Sequence, residues 1–307
     1  MSFLFIIDKP TVLKIQKDTT VHLMKEFLKQ EKEIFFCEMN NLTINQNNLV
    51  KFNCNRIKKI VDEIEYDQPT IMSGQDFKKI WMRKDPPFDQ NYLNASFILD
   101  HVSKSGVEVI NSGSSLRNHN EKLCILHFPN IISPTIVSSS PTTIKAFIKE
   151  HKKVILKPID GMAGDGIFMA TSSDQNLNVI IETMTCSGIQ VIMVQKFIPE
   201  IKDGDKRIIL IDGKPLPFGL SRIPQHNEIR ANLAKGGKGV IKKLTRRDHE
   251  IIDIINPYLK DHQLRFVGID IIGDYLTEIN VTSPTGLVEI EDQAQINFTE
   301  SIVNALA

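Results

Sequence analysis

Three side chains near the C-terminus, Asp270, Glu278 and Asn280, interrupt an otherwise apolar stretch, FVGIDIIGDYLTEINVTSP, that starts at Phe266. Two carboxylates and an amide are oxygen donors of the kind hard divalent cations take. Glu278 and Asn280 share a face if residues 275–280 form a strand, because side chains alternate along it. Whether Asp270 joins them depends on the turn. A two-residue turn at Gly273-Asp274 pairs Ile272 with Tyr275 and sends Asp270 and Glu278 to opposite faces. A three-residue loop over 273–275 sets them directly across from each other. Facing carboxylates repel, so that register calls for a cation between them. Few oxygen ligands suit Mg²⁺, which completes its shell with water and phosphate oxygens. A polar strand face turned to solvent fits the same spacing with no metal.

Four further segments carry groups that suit anionic ligands. In KPIDGMAGDGIF, from Lys157, Gly161, Gly164 and Gly166 lie between two strands. This is neither a Walker loop nor a dinucleotide fingerprint, since a strand follows it. Backbone N–H groups of such a tip can approach phosphate oxygens, and Lys157 can meet them as a point charge. A plain surface turn has the same composition. In VIMVQKFIPEIKDGDKR a strand through Gln195, Lys196 and Ile198 ends at a polar connector, with Asp205, Lys206 and Arg207 beyond. A strand-to-loop edge offers backbone donors and acceptors that read an adenine edge; an interdomain connection looks alike. SRIPQHNEIRANLAKGGKG puts Arg222, Arg230 and Asn232 in a long polar loop whose Gly236-Gly237 would let it close over a reaction. MRKDPPFD sets Arg83 and Lys84 at a strand end, where open α/β sheets bind ligands, and stiffens the next turn with two prolines.

The elements that must position these groups are legible as hydrophobic periods. FLFII (3–7), a helix over 18–32 and Ile34-Phe35-Phe36 make a βαβ opening. A small hairpin follows around Asn47-Asn48, then a strand at 80–82, a helix over 92–103 and a strand at 107–110. Ser140-Pro141 reads as an N-cap and N1 proline starting a helix through Glu150. Strands are expected at 154–158, 167–170, 191–198, 207–212 and 217–223, with helices at 176–187, 247–260 and 299–307. The chain divides at this level into units 1–120, 121–198 and 199–307.

Composition narrows the classes. The 307 residues hold 37 Lys plus Arg and 37 Asp plus Glu, so net charge is zero and no basic surface for nucleic acid is implied. No apolar run reaches the ~20 residues of a membrane span. Four scattered cysteines without a CxxC point to a reduced, cytoplasmic protein, and eight histidines without HExxH give no zinc motif. No Ser-His-Asp or Cys-His set stands out.

In order along the chain, MRKDPPFD at 82, RNHNEKL at 117, ILKPIDGMAG at 155, IKDGDKR at 201, SRIPQ at 221, RANLAKGGKG at 230 and FVGIDIIGDYLTEINVTSPTG at 266 resemble the ATP-grasp superfamily and, within it, the bacterial type of glutathione synthetase. The resemblance covers nearly all of the chain after residue 80 and is weaker before it. It implies an α/β and α+β fold: an N-terminal open α/β (pre-ATP-grasp) domain, then a two-part ATP-grasp fold. The implied reaction joins γ-glutamylcysteine to glycine through an acyl phosphate, with ATP as co-substrate and two Mg²⁺ ions (Mn²⁺ the alternative). Lys122 and Lys157 would contact phosphates below the loop of Gly161 and Gly164. Gln195, Lys196 and Ile198 would cradle adenine, and Asp205 would lie on the sugar side. Asp270, Glu278 and Asn280 would hold the metal ions. Arg222, Arg230, Asn232 and Ser283 would lie near the peptide or the acyl phosphate, and Arg83 near a substrate carboxylate. The family implies a homotetramer. A different carboxylate–amine ligase, or a nucleotide-binding regulatory module without turnover, shares most of these features. The Gly-rich loop departs from its relatives: Asp165 would repel phosphate unless it points outward.

Overall fold

The computed structural model describes residues 2–161, 164–225, 228, 230–231, 233 and 236–307. Its first sheet has eight strands: β1 (Ser2–Ile6), β2 (Ile34–Cys37), β3 (Leu42–Ile44), β4 (Val50–Ile60), β5 (Ile64–Tyr66), β6 (Thr70–Ser73), β7 (Phe77–Met82) and β8 (Glu108–Ile110). The order is β3-β4-β2-β1-β7-β8, with β5 and β6 both on β4. β1 runs parallel to β2 and β7, as a βαβ opening requires. The helix between, α1 (Thr19–Lys29), starts where the Asp18 carboxylate accepts from the Thr20 and Val21 N–H groups. Its buried face brings Phe27 edge-on to Phe3, Phe5 and Trp81, with centroids 4.9–5.8 Å apart. Asp89 caps the Tyr92 N–H in the same way, so α2 (Gln90–Lys104) begins two residues before the apolar period does.

A short helix, α3 (Gly113–Asn118), leads to a second sheet of four strands: β9 (Thr135–Ser138), β10 (Lys153–Pro158), β11 (Phe168–Thr171) and β12 (Ile192–Lys196), in order β11-β10-β12-β9. Ser140 caps α4 (Pro141–His151) through the Thr143 N–H, with Pro141 at its first position as the sequence predicts. With α5 (Leu177–Met184), α4 covers one face of this sheet over a core of its own, Ile144, Ile148, Val154, Leu156, Ile181 and Val194.

The third sheet contains β13 (Asp205–Ile211), β14 (Lys214–Pro215), β15 (Phe218–Ile223), β16 (Lys238–Lys243), β17 (Phe266–Ile272) and β18 (Tyr275–Asn280), in order β16-β15-β13-β17-β18. A capping box between Thr245 and Asp248 starts α6 (Arg246–Asp261), and α7 (Leu287–Ala294) and α8 (Phe298–Leu306) close the chain. Two strand boundaries matter for function. β13 begins at Asp205, two residues earlier than its apolar run, and β16 occupies part of what reads as polar loop. KGVIKK has only two apolar residues, the signature of a half-buried edge strand.

The first and third sheets share their cores. One buried cluster includes Leu4, Ile6 and Met82 together with Ile208, Leu210 and Val267. Another joins Phe5 and Trp81 to Ile209, Phe266 and Leu287. The polar weld between them is Asn111, just past β8 and 3% exposed. Its Oδ1 accepts from the Arg265 and Phe266 N–H groups, and its Nδ2 donates to the Phe266 and Val281 carbonyls. Asn111→Ala leaves these buried groups without partners, at 1–3 kcal/mol each before relaxation. We expect a net loss of about 3 kcal/mol in urea unfolding; a midpoint unchanged from the parent would show that the weld contributes nothing.

Candidate active site

The third sheet gathers its charges by register. Asp205 and Arg207 alternate onto one face of β13. Asp205 pairs across to Arg222 of β15, and Arg207 pairs across to Asp270 of β17. Asp270 stands opposite Glu278, and Gly268 opposite Asn280. Six polar side chains from four strands therefore share one face.

The hairpin reaches this arrangement by a route that neither simple turn provides. Ile272 pairs with Tyr275, so the loop has two residues, and Gly273 takes φ +56°, as the first position of such a turn requires. On turn length alone Asp270 and Glu278 would face apart. A bulge corrects this: Ile271 pairs with Leu276 and Asp270 with Glu278, leaving Thr277 as the extra residue. The Thr277 hydroxyl donates to the Asp270 carbonyl, and its own carbonyl accepts from Lys157 Nζ at 3.4 Å. The bulge thus aligns two carboxylates and points an oxygen across the cleft.

The facing carboxylates are neutralised by protein cations. Arg207 forks onto Asp270, Nε to Oδ1 at 2.5 Å and Nη2 to Oδ2 at 3.0 Å. Gly268 makes room for that guanidinium: a Cβ there would lie 3.0 Å from Arg207 Cδ. Arg222 Nη2 bridges Asp205 Oδ2 at 2.5 Å and Asp270 Oδ2 at 2.9 Å. Although burial works against ionisation, the two guanidinium groups hold the Asp270 carboxyl well below the usual carboxylate range. Burial pushes Asp205 upward despite Arg222, and its Oδ1 is buried with no partner. Asn280 Nδ2 donates to the Gly268 carbonyl and to Asp270 Oδ2.

The opposite wall comes from the second sheet and the segment before it. Lys157, on β10, is buried, and desolvation lowers its ammonium to about 8. Lys122 Nζ lies 3.1 Å from Glu278 Oε1 and also donates to the Gly161 carbonyl. Its neighbour Glu121 accepts at one oxygen from the Val281 and Thr282 N–H groups and the Thr282 hydroxyl. Gln195, Lys196, Ile198, Gly161, Gly164, Asp165, Arg230 and Ser283 line the same cleft. Arg230 Nη2 is 2.6 Å from Glu228 Oε2. Asp165 is exposed at the cleft wall and acts electrostatically on Arg230. Asn232 lies outside the described residues.

One expected site residue is elsewhere. The Arg83 guanidinium is buried over the Phe266 ring and donates to Thr20 Oγ1 and the Pro284 carbonyl, tying the first sheet to the loop after β18. Asp85 and Pro86, not Arg83, reach the cleft. Conversely, sequence reading gave no role to Arg207, Glu121 or Thr277. Arg207 had a usable signal, its i+2 spacing from Asp205, once β13 is known to start at Asp205. The bulge at Thr277 left none.

Models of the prokaryotic glutathione synthetase N-terminal domain and ATP-grasp domain match residues 1–117 and 121–295. The chain belongs to the prokaryotic glutathione synthetase family. The glutathione synthetase of Nitrosomonas europaea is 41% identical over 313 residues, covering 100% of this chain and 97% of its own length. That of Coxiella burnetii is 40% identical over 301 residues, covering 97% and 94%. At lower identity, the solved structures of the D-cycloserine synthetase DcsG (TM-score 0.68, 11% identity, 99% of this chain and 98% of that one) and the ATP-grasp ligase PsnB complexed with minimal precursor (0.67, 15%, 99% and 97%) share the ATP-grasp fold. Membership makes the chain an ATP-dependent ligase of small molecules that depends on a divalent cation.

For a glutathione synthetase site, the buried ion network implies a specific sensitivity. Arg207→Met strips Asp270 of its forked partner and strands a buried charge, which typically costs 3–5 kcal/mol. We expect a loss of about 3 kcal/mol in chemical denaturation and a smaller loss when Asp270→Asn is added. Equal losses in the single and double variants would refute coupling between the two.

Proposed function

We propose that the chain ligates γ-glutamylcysteine to glycine, forming glutathione, ADP and phosphate through an acyl phosphate. The observation that carries this is the cleft itself: oxygen donors and arginines on one sheet face two lysines from another. The triphosphate lies between Lys122 and Lys157 on one side and the β17–β18 hairpin on the other. Its purine reaches the C-terminal end of β12 at Gln195, Lys196 and Ile198, and Asp205 lies toward the sugar.

The donor set suits a hard cation. Among the described residues no three His, Cys, Asp or Glu side chains are grouped to hold a metal by themselves; a hard cation here would complete its shell with water and phosphate oxygens. Glu278, the Asn280 amide oxygen and Asp270 would hold the metal, two Mg²⁺ ions with Mn²⁺ the alternative. When bound, it offsets phosphate charge and polarises the transferred group.

The chain's own groups do the rest by position and charge. Lys122 and Lys157 orient the phosphates. The peptide carboxylate attacks the γ-phosphorus as ADP leaves, and Arg222 and Arg230 offset charge on the transferred group and on the acyl phosphate. The glycine amine then adds to the acyl carbon and phosphate departs. The segment around Arg230 covers the cleft and limits hydrolysis; Asn232 belongs to it in this reading, and Ser283 lies on the peptide side. Arg83 acts here as a brace for Pro284. The three units 1–120, 121–198 and 199–307, a cytoplasmic setting, a homotetramer and the lack of nucleic-acid or membrane partners complete the proposal. The lack of a nucleic-acid partner in this reading is supported by zero net charge; no helix among the described residues is long and apolar enough to cross a membrane.

Coupled ADP release with γ-glutamylcysteine, glycine and Mg²⁺ tests the reaction. Turnover independent of γ-glutamylcysteine would redirect the reading to another carboxylate–amine ligase, and ATP binding without ADP under any substrate pair would point to a regulatory module. In this assay Glu278→Gln is expected to retain the fold and lower turnover at least ~10²-fold. Near-normal turnover at saturating Mg²⁺ would refute its role.

Lys157 sets a pH limit. Its ammonium, lowered to about 8, is charged below that pH and loses its proton above it. Affinity for a triphosphate therefore falls as pH rises through 8, with KM for ATP climbing roughly tenfold from pH 7 to 9. Lys157→Gln raises KM at pH 7 and removes the inflection; a variant that keeps it would place the titration on another group.

A further inference from the structure

Thr135, at the start of β9, is bound at both ends of its hydroxyl. Its Oγ1 donates to the Ser133 carbonyl at 2.7 Å and accepts from Gln195 Nε2 at 2.9 Å. A hydroxyl has one proton. With that proton committed to Ser133, Thr135 can only accept from Gln195. The Gln195 amide is therefore held with its NH₂ toward Thr135 and its Oε1 directed away. Turning the amide over would set two oxygens against each other with no proton between them. This matters because Gln195 is 6% exposed, so water does little to compensate.

The support is rigid. Ser133 is buried, the Pro134 carbonyl accepts from the Lys196 N–H at 2.9 Å, and Gln195 pairs directly with Thr135 across the β9–β12 ladder. Ile155, opposite Gln195 on β10, lines the cleft as Gln195 does.

We propose that Thr135 is a specificity-determining positioning residue: by fixing the Gln195 amide it turns the acceptor Oε1 toward the nucleobase. The inference rests on the purine lying at the C-terminal end of β12. An acceptor there suits the exocyclic amine of adenine and opposes the carbonyl oxygen at the same position of hypoxanthine or guanine. The Thr135–Ser133 pair thus makes the site choose ATP over ITP by orientation of a neutral amide, with no charged group involved. Site hydrogen bonds of this kind discriminate well because a mismatched buried group is left unpaired.

Thr135→Val keeps the β-branched shape and removes the hydroxyl. It frees the amide to turn, so the ratio of kcat/KM for ATP to that for ITP should fall roughly tenfold. The change should fall on KM rather than kcat, and equilibrium binding of ADP against IDP should show the same loss of preference. Thr135→Ser restores the hydroxyl and the ratio. Gln195→Ala separates the two levels of the reading. If it weakens ATP binding while Thr135→Val leaves the ratio unchanged, the relay is overturned and the base position stands. If Gln195→Ala leaves KM for both nucleotides unchanged, the base does not lie there and both readings fall. Should Thr135→Val unfold, Thr135→Ser against Thr135→Ala gives the same comparison, and an equal ratio in those two would overturn the proposal.

Discussion

The site depends on a buried ion network: Arg207 and Arg222 closed around Asp270, with Asp205 at the far end of Arg222. Removing such charges from water costs several kcal/mol per ion, and mutual attraction repays that only when geometry is close and remaining lone pairs are used. Both arginines and Asp270 are nearly fully buried. The network is therefore poor value as a source of stability, and its worth lies elsewhere. It keeps Asp270 ionised and immobile, so that the hairpin presents oxygen donors in a fixed arrangement. Everything around it serves that end: Gly268 lets the guanidinium lie against the strand, Thr277 supplies the bulge, and Asp205 at the start of β13 completes the ladder of pairs.

Charge balance follows from the same network. Asp205 and Asp270 offset Arg207 and Arg222, while Glu121 and Glu278 offset Lys122 and Lys157. A cleft with no surplus positive charge is a weak trap for a triphosphate alone. In the proposed function it becomes a good one when the phosphates arrive with divalent cations, which Glu278 and Asn280 would share. The lowered ammonium of Lys157 belongs to the same economy, since burial makes the lysine a cation that is completed by its ligand. Positioning and electrostatics are what phosphoryl transfer asks of a protein, and neither needs a nucleophile of the kind the sequence lacks.

The sequence revealed the pieces more readily than their arrangement. Capped helices announced themselves through Asp18, Asp89 and Ser140, whose side chains do what their positions suggest. Strong apolar runs marked the central strands of all three sheets. Weak runs hid β5, β6, β9 and β16, which are short or lie at edges and bury only part of their surface. The oxygen donors of the hairpin were legible as types, but their common face was not, because one unpaired residue shifts register by a step that composition does not record. Arg83 shows the opposite error. A guanidinium at a strand end suits a carboxylate ligand, and only packing reveals that Phe266 and Pro284 have already claimed it.

The dipeptide Glu121-Lys122 shows how the chain holds the two walls of the cleft in relation to each other. Glu121 grips the backbone just past Asn280, at Val281 and Thr282, while its own carbonyl accepts from the Ile279 N–H. Lys122 reaches both Glu278 and the Gly161 carbonyl of the Gly-rich turn. Two adjacent residues of opposite charge therefore fix the end of β18 and the Gly-rich turn from one point. The second sheet has a core of its own and joins the third through Met193 and Val137 together with such polar ties. Lys122 is the tie that a triphosphate would compete for, because the charge that now holds Glu278 is the charge that phosphate oxygens seek. In the proposed function, nucleotide binding would exchange one partner of Lys122 for another and leave Glu278 free for a cation, so that the arrival of phosphate and the exposure of an oxygen donor would be a single electrostatic event.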